Sequence, residues 1–208
     1  MTMAVAGIGL VSPIAMDATQ HALFVEAGLG RNPPTAFLSA RDQPIFVHHA
    51  PWLGARMPVA ERMAALGEAA GREALARAGA ATQRGAAVVL CLGETDARPS
   101  DAELDAVSAH LARAFGLPVR ARARGAASAF SALAAAQGWL DAAEVGAVLV
   151  VAADSLVTLD VAAAEQRRTP EWVMESPAPS RLPRRCCWCG TTLVPVARRC
   201  WGASMARR

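Results

Sequence analysis

Two short runs constrain this chain more than anything else in it. Residues 86–92 (Ala-Ala-Val-Val-Leu-Cys-Leu) and 145–153 (Val-Gly-Ala-Val-Leu-Val-Val-Ala-Ala) hold no polar side chain at any position. Each is too short for a typical helix and too uniform for a strand with one wet face. Strands of this kind lie inside a sheet that is covered by helices on both sides, so the expected fold class is α/β.

The segments around them agree. Residues 5–11 are apolar, punctuated by Gly7 and Gly9 and stopped at Ser12-Pro13, which reads as a buried strand running into a turn. A helix over 17–27 follows, with Asp17 as its N-cap and Gly28 as its stop. Residues 29–58 carry five prolines and read as irregular, with a short strand within 44–48. Val59, Met63, Leu66, Ala70 and Ala74 recur at three- and four-residue spacings, which predicts a helix over 59–78 closed by Gly79. Ser100 and Glu103 form a capping-box pair opening a helix over 101–115, ended by Gly116 and Pro118. In 118–124, Val119, Ala121 and Ala123 alternate with Arg120, Arg122 and Arg124, the pattern of a half-exposed strand. An Ala-rich helix is expected over 126–142.

Composition divides the chain in two. Its 208 residues are 53% hydrophobic and 19% charged, which excludes wholesale disorder. Residues 1–165 hold 12 arginines against 16 acidic residues; residues 166–208 hold nine against two. Four of the five cysteines (Cys186, Cys187, Cys189 and Cys200) also lie in that basic tail, leaving Cys91 alone before it. This is no disulfide framework, and a reducing cytoplasm is the expected location. The start Met-Thr-Met-Ala has no basic leader, and the longest apolar run is nine residues where a membrane span needs about 20, so no membrane association is expected. The tail breaks the periodic pattern with prolines and Arg pairs. It reads as a segment separate from the 1–165 domain, either poorly ordered or, from about Arg181, the product of a shifted reading frame.

Taken in order, several pieces resemble the N-terminal half of a β-ketoacyl synthase, a member of the thiolase-like superfamily. They are Val5-Ala-Gly-Ile-Gly-Leu-Val-Ser-Pro13, Glu61-Arg-Met63 through Glu73-Ala-Leu75 and Ala78-Gly79, Ala87-Val-Val-Leu-Cys-Leu-Gly93, the stretch 132–140, and 145–155 ending in Asp154-Ser155. The resemblance covers about residues 4–160. It implies a central mixed sheet covered by helices and decarboxylative condensation of acyl thioesters by a Cys nucleophile with two His. It also implies no cofactor, an acyl carrier protein as partner, and dimerisation through the strand before the nucleophile. The family's Ala-Cys-Ala-Ser-Gly motif falls on Gly125-Ala-Ala-Ser-Ala129, which puts Ala126 at the nucleophile position. A methyl group forms no thioester. The two His belong to the family's C-terminal half, which this sequence does not reach. The resemblance therefore implies a non-condensing remnant, or a non-catalytic partner of an active synthase in the manner of chain-length-factor subunits that lack the Cys.

Other candidate residues have plainer roles. Cys91 sits in an apolar strand and reads as a small core hydrophobe. Ser128 lacks a Gly-x-Ser-x-Gly elbow and reads as a helix serine bonded to its own backbone. Gly7-x-Gly9 lacks the third glycine of a dinucleotide fingerprint and reads as room for close packing. His48-His49 point to opposite faces of an extended segment, so they make a poor half-site for a metal. Cys186, Cys189 and Cys200 fall short of a zinc site's four ligands. The tail's Arg pairs, with Trp172, Trp188 and Trp201, suit an alternative reading as a scaffold whose tail engages nucleic acid or an acidic partner.

Overall fold

The computed structural model describes residues 3–29, 34–38, 44–46, 50, 52–54, 57–93, 99–125, 127–155 and 192–199. In chain order its elements are β1 (Met3–Val11), α1 (Ala18–Glu26), β2 (Pro34–Leu38), β3 (Pro44–Phe46), α2 (Val59–Ala78), α3 (Ala80–Gln83), β4 (Ala86–Leu92), α4 (Asp101–Phe115), β5 (Val119–Arg124), α5 (Ser128–Asp141), β6 (Ala147–Ala152) and β7 (Thr192–Arg199). Five strands form one sheet in the order β1-β7-β6-β4-β5, and β2 pairs with β3 apart from it. β4 runs parallel to β5 and β6, while β7 is antiparallel to both β1 and β6. The sheet is therefore mixed, with one reversed strand.

The two uniformly apolar runs became the sheet's interior. Every residue of β4 is buried, and β6 is buried through Val151. Their alternate side chains feed two layers. Val88, Leu90, Leu92, Leu149 and Val151 meet α2 and α4 on one face, and Ala87, Val89, Cys91, Val148 and Val150 meet Ala132, Ala136 and Leu140 of α5 on the other. The helix signals acted as the sequence predicts. Asp17 caps α1 by accepting from the Gln20 N–H at 2.8 Å, and Ser100 and Glu103 close a capping box on α4. Gly116 ends α4 in the left-handed conformation. Gly7 and Gly9 let β1 press against the backbone of α2 at Ala74 and Ala70, where a Cβ would collide with carbonyl oxygens.

The structure corrects two expectations. The proline-rich stretch 29–58 holds a second strand, β2, beside the expected short one. The tail, expected to be irregular, supplies β7, which lies between β1 and β6 inside the sheet. Its ladder to β6 runs from Arg198 opposite Ala147 to Val196 opposite Leu149 and stops before Pro195, which has no N–H to donate; the ladder to β1 continues past it. Arg198 and Arg199, one of the tail's basic pairs, thus stand on an interior strand. Among the described residues, no helix is long and apolar enough to cross a membrane.

Candidate functional site

The strand-to-helix turn after β5 is where the resemblance places a nucleophile. Parallel pairing carries the chain to the carboxyl end of the sheet. The Gly125 N–H continues the ladder by donating to Leu92 O at 3.1 Å. Gly125 then turns with φ +95°, which glycine adopts without a Cβ penalty. The Ser128 N–H donates back to Gly125 O at 3.0 Å, and α5 begins, with no side chain capping its N-terminus. A group held there faces the positive end of the helix dipole, the setting that lowers a thiol's pKa. Ala126 itself lies outside the described residues, as do Cys186, Cys189, Cys200, His48 and His49.

Cys91 comes close to this turn from the neighbouring strand. Its thiol donates to Ser128 O at 3.8 Å, and the residue is 2% exposed. Burial among apolar neighbours pushes the thiol up to about 11, the opposite of what a nucleophile needs. At neutral pH it is an S–H packed under α5. Ser128 is also buried, in the first turn of α5. The two described histidines are engaged elsewhere. His21 hydrogen-bonds Ser12 Oγ through Nδ1 at 2.8 Å, and His110 meets Glu68 at 2.6 Å across the α2–α4 contact.

One group that the sequence did not single out stands at the end of β6. The Asp154 carboxylate rests against Gly93 at the end of β4, leaving no room for a Cβ there. Burial raises its pKa above the ordinary aspartate value, with the Ser155 N–H bond at 2.7 Å pulling the other way. Asp154, Gly93 and Arg124 share a small depression with Met63, Leu92, Pro99 and Leu104. The sequence signal was slight: a single acid ending an apolar run. Among the described residues, no three His, Cys, Asp or Glu side chains come together as a metal site.

This order of strands, helices and turn defines a fold class: the chain has the thiolase-like α/β fold of the ketosynthases. The likeness is one of structure. No family model and no curated protein matches the sequence. Among solved structures, the whole chain superposes on the ishigamide ketosynthase/chain length factor with a TM-score of 0.64 at 20% identity, covering 64% of that chain. A ketosynthase from module 6 of the bacillaene synthase of Bacillus subtilis 168 matches 95% of this chain with a TM-score of 0.59 at 15% identity, over 39% of its own length. The 3-oxoacyl-(acyl carrier protein) synthase III of Pseudomonas aeruginosa PAO1 matches 98% with a TM-score of 0.51 at 20% identity, over 53% of its length. The chain spans less than two thirds of each of these structures.

Proposed function

We propose that this chain is a ketosynthase-like protein without condensing activity, a remnant of such an enzyme or a non-catalytic partner of an active one. The observation that carries this reading is the thiol's position. The family motif aligns with Ala126 in the sequence before α5, and the one described thiol, Cys91, is a protonated core group on the neighbouring strand. Neither supplies the thiolate that attacks an acyl thioester. Acyl transfer is tested by incubating the chain with an acyl thioester and weighing the intact protein. No adduct on residues 1–155 is the expected result, and a stable acyl adduct there overturns the reading.

The same reading includes a thiolase-like partner, either a second copy or a related chain, with an acyl carrier protein as a further contact. Two surfaces support it. Among the described residues, β5 ends the sheet with one edge unpaired. Phe130 on α5 is 76% exposed, and Val5, Leu23 and Val25 are more than half exposed. Size-exclusion chromatography is expected to show a dimer or larger species; a clean monomer argues against the partner.

A further inference from the structure

The two faces of the sheet are covered unequally. α2 crosses β1 at Gly7 and Gly9 and, with α4, closes one face over Val11, Leu90, Leu92, Leu149 and Val151. Among the described residues the other face has α5 alone, packed on β4, β5 and β6. Five strands span about 24 Å, and one helix covers about 10–12 Å of that. A strip about one helix wide is left over β1 and β7. Gly7 and Gly9 face α2, so Ile8 between them faces this strip, where it is 41% exposed.

α5 is built to fit such a strip. No side chain from Ser128 to Leu140 carries a charge, and the side turned away from its own sheet, with Ala129, Phe130, Ala134 and Gly138, is exposed. A helix without charge on either side belongs inside a packed layer. Phe130 lies in the first turn of α5, at the carboxyl end of β5. β1 runs parallel to β5 by way of the reversed β7, so it carries Ile8 towards that same end. A two-fold axis running beside α5 and along it turns two sheets to face each other without changing heights. It lays the outer side of each α5 in the open strip of the other copy, with Phe130 level with Ile8. We infer that a second copy of this chain docks here, each α5 completing the layer over the other's β1 and β7. The helix sides and strips of both copies together bury about 1,000 Å², the lower end for a specific interface. Docking through α5 rests on the partner reading above and leaves the β5 edge unused.

The test is sedimentation equilibrium of the full chain, wild type and variants, with melting curves to show that each variant folds. The wild type is expected to dimerise. Phe130→Lys and Ile8→Asp each weaken self-association about tenfold or more, because an apolar contact would have to strip water from a charge. Mixed in equal amounts, the two variant chains associate with each other about tenfold more tightly than either does with itself. In that mixed pair one contact is native and the other brings opposite charges together. Val5→Asp, at a 59% exposed position on the same strand, serves where Ile8→Asp does not fold. A wild-type dimer that neither variant weakens, or variant chains that gain nothing on mixing, overturns docking through α5 and leaves a partner at another surface standing. A wild type that stays monomeric at every concentration overturns the partner reading itself.

Discussion

Alkylation of Cys91 tests the central chemical claim most directly. The thiol is 2% exposed and its pKa is pushed up to about 11 by burial. Only the thiolate reacts with iodoacetamide. At about pH 8, a pKa of about 11 leaves roughly one thiolate in a thousand, whereas a free cysteine near 8.5 is about one quarter ionised. Protonation alone therefore slows the native thiol by about 200-fold relative to the unfolded chain, and burial slows it further because reagent enters only through opening of the α5 layer. The measurement is peptide-resolved mass spectrometry of chains alkylated for increasing times, native and in denaturant. Resolving peptides separates Cys91 from the cysteines of the tail. A native rate within about tenfold of the denatured rate would refute the argument, because it would require an accessible, ionised sulfur where the structure has a packed S–H.

Three further outcomes follow from the same geometry. Burial raises the Asp154 pKa, so the folded state holds this proton more tightly than the unfolded one; the carboxyl is harmless at acid pH and costs stability as pH rises through its folded value. Asp154→Asn, which keeps an oxygen for the Ser155 N–H, is expected to raise the melting temperature at pH 7, with the gain fading towards pH 3; a gain that does not change with pH contradicts the cause given. Gly9→Ala drives a methyl into the backbone of α2 at Ala70 and Ala74 and is expected to cost about 1–3 kcal/mol or more in urea unfolding, where an exposed-site substitution changes almost nothing. Ser100→Ala removes the side-chain half of the α4 capping box, leaving the residue-100 N–H to donate to Glu103, and should cost about 1 kcal/mol by the same assay, with an unchanged value showing that the cap is idle.

The elements that the sequence made legible are those with local signals at both ends. The helix over 59–78 lies between Pro58 and Gly79, the helix over 101–115 between a capping box and a left-handed glycine, and β4 is bounded by Gly85 and Gly93; the structure keeps all three ranges. β7 had no such signal. Its Pro195 and its Arg198-Arg199 pair argue against an interior strand, and what defines it is its two neighbours, β1 and β6. The site divides the same way. A buried Cys91 was readable because both its strand neighbours and its alternate neighbours are apolar. The desolvation of Asp154 was not, because it depends on Gly93 of a distant segment, which only the parallel pairing of β4 with β6 brings alongside.

The place of β7 also sets a schedule. β1 is made before the other described strands, yet among the described residues its one ladder in the five-stranded sheet is with β7, which is made after all of them. Until residue 199 is available, the earliest strand leans on α2 with its hydrogen-bonding edge unmet, while β4, β5 and β6 can already associate among themselves. Joining β1 to the rest of these strands thus waits for β7, some 180 residues further along, and long-range closure of this kind is slow. An exposed strand edge persisting through that delay is where misassembly begins.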